Sequence, residues 1–507
     1  MRFNGMIMTT ALLLAAPLAA AQTTQADAAA AARDSAIAAD VTTVMAERQI
    51  PGAQVAIVMP DGAIWERSFG LRDLASSLPM TSDTLIQVGS VTKIFTASLI
   101  ADLVAERSIK WSDSLVARLP GVSIRPDLAD ITLDELATHT ARLPPNPPNR
   151  VDVDGVMQPY SVAALYASLS NPDVRRVEPG RTYSNWGYAL LGHVVEKAAG
   201  QRFEDVLRER IFEPLGMSHS KIDLSPADER RLAVHYWPED EPRIPRPRWV
   251  FGEVAGFGGI TSTAGDLAKF LRYQIEPESR GEVLDAAGMQ SLRAVRTLGS
   301  SWQAGGGRGW LVIRDPDGTI TLEHSGEVDG HSSYIGFSPD TDVGVAVAAN
   351  LGGSSAREIA LPLLARIVAQ ARQLQPMNRE VAMSLARKRQ WADAEVALVK
   401  VVTAMPGDDE AWHQLGVARY ELHDVPGAEA ALLQAAKNGA SPASSTFMLA
   451  VIAAAQGRID TAFERLDRAL RSSGAKLDLD RAELRILQSD RRWMRIVAKA
   501  QRARSGG

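Results

Sequence analysis

The 507-residue chain contains no cysteine. That absence excludes disulfides, thiol nucleophiles, iron–sulfur clusters, cysteine-ligated zinc and a lipid-modified N-terminal cysteine. Any nucleophile must be an oxygen or a nitrogen. An excess of one charge is missing too: 55 Lys and Arg stand against 60 Asp and Glu, a net charge of −5. Nucleic-acid binders usually carry a strongly basic domain, so no such partner is expected. Past the N-terminus no run of 18 apolar residues occurs, and no integral membrane segment is expected in the mature chain. The sequence has no His-Glu-x-x-His, the helical zinc-site motif of metalloproteases. What remains, 46% hydrophobic and 23% charged residues, is the composition of a globular protein.

The chain opens with Met1-Arg2-Phe3, an apolar run over 6–18, and Ala19-Ala20-Ala21-Gln22. A positive start, a short apolar core and an A-x-A site mark a secretory signal peptide. The reading is a signal over 1–21 cleaved near Ala21, and a periplasmic or secreted mature protein. Up to residue 372 helical patterns alternate with strand-like runs at 54–59, 310–314 and 343–349. From Pro376 onward the chain is rich in Ala and Leu at helical spacing. This predicts a first domain over 22–372, a linker at 373–378 and a helical domain over 379–507.

The helical part repeats. Ala394, Ala428 and Ala462 are spaced by 34 residues, as are Leu398, Leu432 and Leu466, and Val381, Leu415 and Leu449. That period predicts an α-solenoid of tetratricopeptide-like helix pairs, capped by residues 478–499. Stacked pairs of this kind bind a protein segment or a second copy of themselves. Residues 375–507 hold 20 Lys and Arg against 16 Asp and Glu, so the first part of the chain carries most of the negative charge.

Three short motifs carry the chemistry. In Ser90-Val91-Thr92-Lys93 a serine stands where a loop turns into a helix, and Lys93 lies one turn along on the same face. A serine hydroxyl attacks only when a nearby base takes its proton. Burial lowers a lysine pKa and makes it such a base; otherwise Ser90 is an ordinary helix N-cap. Tyr183-Ser184-Asn185 places a phenol two residues before an amide. Adjacent cations are expected to lower the Tyr183 pKa and fit it for general acid–base work. Glu323-His324-Ser325-Gly326 precedes a strand-like run and sets an imidazole beside an edge backbone. Gly305-Gly306-Gly307-Arg308-Gly309 is read as a turn, since it lacks the spacing of a phosphate loop.

S-x-x-K, Tyr-x-Asn and His-Ser-Gly, in that order, resemble the serine β-lactamase and penicillin-binding protein superfamily. The likeness is strongest to its branch of class C β-lactamases, D-alanyl-D-alanine carboxypeptidases and esterases, and spans about residues 36–370. It implies an α+β fold: an antiparallel sheet flanked by helices, with an all-helical subdomain. It implies Ser90 as acylated nucleophile, Lys93 as its base partner and Tyr183 as catalytic phenol. The oxyanion hole would be the backbone N–H groups of Ser90 and Glu327. Asn185, His324, Ser325 and Gly326 would hold the substrate, a small molecule or a peptidoglycan-like peptide. No cofactor is implied. Where β-lactamases usually carry Lys-Thr-Gly this chain has His-Ser-Gly, so attraction of a β-lactam carboxylate is expected to be weaker. The glutamate of a Glu-x-x-Leu-Asn segment has no counterpart.

The leading expectation is therefore an exported serine hydrolase cleaving a carboxyester, a D-amino-acid peptide or a β-lactam-like substrate. The alternative is a catalytically weak penicillin-binding-like scaffold whose repeats bind another protein. A Ser-His-Asp enzyme using His324 or His139 would need G-x-S-x-G, and Gly330-His331-Ser332-Ser333 lacks the final glycine. Two proline-rich stretches, 143–148 and 236–249, are read as surface loops, or as cleft walls in which Trp237 and Trp249 meet apolar acyl groups.

Overall fold

The computed structural model describes residues 31–505 apart from 154–155, 179, 242, 276–285, 300–302, 317, 439–441 and 472–476. The expected signal peptide lies outside the described residues. The chain divides into two compact units, residues 1–368 and 369–507.

The first unit is built on a nine-stranded antiparallel sheet. In chain order its strands are β1 (Gly52–Val58), β2 (Ile64–Asp73), β3 (Leu78–Pro79), β4 (Thr297–Leu298) and β5 (Ala304–Gly306). They continue with β6 (Leu311–Arg314), β7 (Ile320–Val328), β8 (His331–Ser338) and β9 (Val343–Ala349). Across the sheet the order is β3-β2-β1-β9-β8-β7-β6-β5-β4. Strands β1, β8 and β9 are buried at every position, and β1 and β9 accordingly read as near-continuous apolar runs rather than alternating ones. Gly305 and Gly306, expected in a turn, belong to β5 and pair with Val312 and Leu311. Glycine is poor in strands, but here a side chain would collide: a Cβ on Gly305 would stand 2.8 Å from Val295 Cγ1.

One helix occupies the middle of this unit. Thr92–Ala105 buries 11 of its 14 residues, so its apolar surface runs all round rather than along one stripe, the mark of a core helix. Phe95 on it stacks on Phe270 of the helix Ala264–Ile275 with ring centroids 4.0 Å apart. The helix Ala264–Ile275 in turn packs on β1 and β9. The helix Asn185–Ala199 lies against Thr92–Ala105 as well and ends at Gly200, whose φ of +69° closes it.

The second unit is helical throughout its described residues. Its helices Trp391–Ala404, Asp409–Glu421, Val425–Asn438, Pro442–Ala455 and Ile459–Ala469 pack as successive neighbours. A turn at Ala482–Leu487 and the helix Arg491–Ser505 follow. Ala394, Ala428, Ala462, Leu398, Leu432 and Leu466 are fully buried. Val381 departs from its column: it is 56% exposed, whereas Leu415 and Leu449 are buried. The stretch 373–378, expected as a linker, lies inside the helix Ser355–Arg387. Among the described residues no helix is long and apolar enough to cross a membrane.

Candidate active site

Residues Gly89–Val91 form a single tight turn that runs straight into the helix Thr92–Ala105. Neither helical start uses a side-chain cap, so the Ser90 hydroxyl is not committed as an N-cap. It faces Lys93 instead, with Oγ and Nζ 2.9 Å apart. Lys93 Nζ also donates to the Phe257 carbonyl at 2.7 Å. Ser90 is partly exposed, while Lys93 is completely buried. Burial pushes the Lys93 pKa well below its usual value, because a cation loses its hydration there. Among the described residues no ion pair with Lys93 offsets that loss. A neutral amine has a lone pair free to accept the Ser90 proton.

Two glycines bring this turn against the sheet. Gly89 has φ +51°, and a Cβ on it would stand 2.7 Å from both Glu327 N and Glu327 O. A Cβ on Gly326 would stand 1.9 Å from the Val88 carbonyl oxygen. Ser333 Oγ donates to that same oxygen at 2.7 Å. The backbone leading into Ser90 thus abuts the end of β7, with Gly89 against Glu327.

Tyr183 arrives from the other wall. Ser184 caps the helix Asn185–Ala199 by accepting the Gly187 N–H at 3.1 Å, and it donates to the Pro144 carbonyl at 2.7 Å. That fixes the residue before it. The Tyr183 phenol stands close enough to Ser90 for the serine to bear on its protonation, and Lys93 Nζ lies 4.8 Å from the centre of its ring. The lowered pKa expected for Tyr183 is not found: burial raises it to about 12. Ser90 and the Arg181 guanidinium oppose the rise, but burial outweighs both. Tyr183 is a protonated phenol at neutral pH.

His324 lies on β7 with its ring 6.4 Å from that of Tyr183, and its Nδ1 is 2.6 Å from the Ser325 carbonyl oxygen. Burial and the neighbourhood of Lys93 push its pKa down to about 3, so the imidazole is neutral. Asn185 Nδ2 donates to Asn146 Oδ1 at 3.0 Å, and its backbone N–H donates to Pro145 O at 2.7 Å. The first proline-rich stretch therefore holds the amide of the second motif. The other stretch is tied to the first motif: Gln87 Nε2 donates to Trp249 O at 2.9 Å, and Trp249 N–H to Gln87 Oε1 at 3.2 Å. Trp249, Phe251 and Phe257 follow one another at 6.2 and 5.2 Å between rings, ending at the residue whose carbonyl takes Lys93. Arg150, two residues past the first stretch, covers Trp249 at 5.4 Å. Trp237 lies apart from these, against Gly352.

The leading sequence reading gave His139 no role. Its ring packs 4.6 Å from that of Tyr183, its Nδ1 accepts the Ser184 N–H at 3.1 Å, and its carbonyl accepts the Thr182 N–H at 2.9 Å. It brackets Tyr183 on both sides in sequence and holds a left-handed φ of +62°, a strained conformation that persists when its surroundings demand it. A histidine beside Thr138 and Thr140 carries no local signal of this. Among the described residues no cluster of three or more His, Asp or Glu is arranged to hold a metal.

A serine paired with a buried amine and a phenol, beside a strand whose backbone meets the serine, is the apparatus of a serine hydrolase. The sequence profile of the family described as Beta-lactamase matches residues 37–370, and the chain belongs to that family of serine hydrolases. It is 29% identical over 323 residues to penicillin-binding protein 4 of Amycolatopsis lactamdurans, covering 60% of this chain and 82% of that one. It is 27% identical over 344 residues to a β-lactamase of Escherichia coli, covering 61% and 86%. Among solved structures, a penicillin-binding protein homologue from Pyrococcus abyssi superimposes with a TM-score of 0.58 at 27% identity, over 66% of this chain and 77% of that one.

Proposed function

We propose that the protein hydrolyses an ester or amide through an acyl-enzyme on Ser90. The observation that carries this is Ser90 Oγ lying 2.9 Å from the completely buried Lys93 amine, with the Tyr183 ring 4.8 Å from that amine. As Oγ attacks the carbonyl carbon, the Lys93 lone pair takes the hydroxyl proton. The N–H groups of Ser90 and Glu327 receive the developing oxyanion. Collapse expels the leaving atom, which takes the Tyr183 proton; the Lys93 ammonium returns its extra proton to Tyr183. Water then attacks the acyl-enzyme, giving one proton back to Ser90 Oγ, and the acid departs.

A neutral His324 offers no charge to a carboxylate lying against it, so carboxyesters and D-amino-acid amides fit better than β-lactams. The Trp249–Phe251–Phe257 wall supports an apolar acyl group. Export rests on the signal-like first 21 residues. The second unit reads as tetratricopeptide-like, supported by the helix pairs and the buried Ala and Leu columns, with a protein segment or a second copy as ligand. A fluorophosphonate probe with peptide mapping tests the central reading: the adduct is expected on Ser90 and lost in Ser90→Ala. A folded protein that reacts elsewhere, or not at all, overturns it.

A further inference from the structure

Burial holds Lys93, His324 and His139 below their ordinary pKa. Arg181 lies at their edge. It stands two residues before Tyr183, on the segment anchored by the Thr182 N–H to the His139 carbonyl. Its stem runs along the sheet: a Cβ on Gly306 would stand 2.8 Å from Arg181 Nε and 3.4 Å from Cδ. The bare strand β5 is what lets the arginine lie flat there. Gly306 pairs with Leu311, and Leu311 with Glu323, the neighbour of His324. At ~4.8 Å per strand, Arg181 therefore crosses β5 about 10 Å from the catalytic strand β7.

Arg308, from the same glycine-rich stretch, is fully engaged. Its Nε donates to Asp134 at 2.7 Å, its Nη1 to Ser291, and its guanidinium covers Trp111 at 4.1 Å. Arg181 is exposed, and among the described residues it has no hydrogen bond or ion pair. An arginine that is fixed along its stem and unpaired at its head is disposed to take a planar anion.

We propose that Arg181 receives a carboxylate on the departing half of the substrate. This rests on the Ser90 acyl-enzyme reading above. The departing half is the one concerned because Arg181 shares its segment with Tyr183, the proton donor to the leaving atom. Anion recognition thereby moves from the third motif, where His324 is neutral, to the approach to the second.

The test compares two esters: the hexanoyl ester of 3-hydroxybenzoate, and that of its methyl ester, which lacks the charge. For each enzyme the ratio of kcat/KM values, carboxylate over neutral, is the readout. Whatever a change at Arg181 does to both esters through Tyr183 cancels in this ratio. The wild type is expected to favour the carboxylate about tenfold at low salt, as for an accessible charge-assisted contact. Arg181→Gln should bring the ratio to about one, with Arg181→Lys between. The wild-type ratio should shrink at 0.5 M salt, where the Debye length is only a few Å, and that of Arg181→Gln should not. A wild-type ratio of one, or an equal ratio in Arg181→Gln, overturns the proposal while Ser90-dependent turnover of the neutral ester leaves the hydrolase reading standing. If neither ester turns over and Ser90 takes no probe, the hydrolase reading fails and this proposal with it.

Discussion

Adding one methyl group at Gly326 tests whether close contact between β7 and the nucleophile turn is what makes the site. The new Cβ would stand 1.9 Å from Val88 O and 2.5 Å from Ser333 Oγ. Ser333 can rotate away; a backbone carbonyl cannot. A tolerable carbon–oxygen contact is about 3.3 Å, so the strand must retreat by roughly 1.4 Å. That withdraws the Glu327 N–H from the oxyanion, and losing one such donor costs about 10²–10³ in kcat. Overpacking of this kind typically costs only about 1–3 kcal/mol of stability, so the variant should fold. The assay is kcat and KM on a nitrophenyl ester beside the rate of Ser90 labelling and a thermal melt. Gly121→Ala is the control: φ there is +80° but nothing lies within 4 Å of the added atom, so it should lose some stability and no rate. Gly326→Ala with wild-type kcat and a normal melt would refute the argument that this contact builds the oxyanion site.

Three further outcomes are expected. Lys93→Met removes a buried amine without leaving a charge unpaired, so it should abolish turnover by at least about 10³-fold while the melting temperature holds or rises; a large drop in melting temperature would show that the amine is structural. Tyr183→Phe should slow alkyl esters far more than nitrophenyl esters, because only a poor leaving group needs the phenol's proton; equal losses on both would remove Tyr183 from that step. Acid should destabilise the fold through His235 and His331, whose rings lie 3.5 Å apart and whose pKa values burial holds down, His235 to about 4. The unfolded chain binds these protons below about pH 6.5 and the folded one does not, so stability is present above that pH. It is lost as pH falls from 6.5 towards 4, by ~3 kcal/mol for His235 alone; a flat denaturation midpoint across that range, or no steeper loss than in His235→Gln, would refute it.

How much of this was legible follows from distance along the chain. Ser90 and Lys93 are one helical turn apart, so their contact could be read from spacing alone. Tyr183 and His324 stand 93 and 234 residues from Ser90, and only the resemblance connected them to it. His139 escaped because its part is played by backbone and ring contacts, which leave no motif. Gly305 and Gly306 read as a turn because glycine is a turn residue by default. Their reason, room for Val295 and for the Arg181 stem, belongs to residues elsewhere in the sequence. The change from strand-bearing to helical sequence near 373–378 suggests a linker there, but one helix, Ser355–Arg387, runs through it.

Protonation was the least legible property, and it decides the mechanism. Lysine and tyrosine have ordinary pKa values of about 10.4 and 10, too close for residue type alone to say which is acid and which is base. One enclosed site separates them, because loss of hydration disfavours the charged form of each. The ammonium of Lys93 is destabilised and its pKa falls, while the phenolate of Tyr183 is destabilised and its pKa rises to about 12. The same burial thus makes the lysine a base and leaves the tyrosine a proton donor, with no carboxylate needed to set either role. A carboxylate placed beside Lys93 would undo the arrangement by restoring the ammonium, which gives a physical reason for the site's acids to stand outside it, with Glu323 engaged by Arg357 and Tyr334 and Asp134 by Arg308.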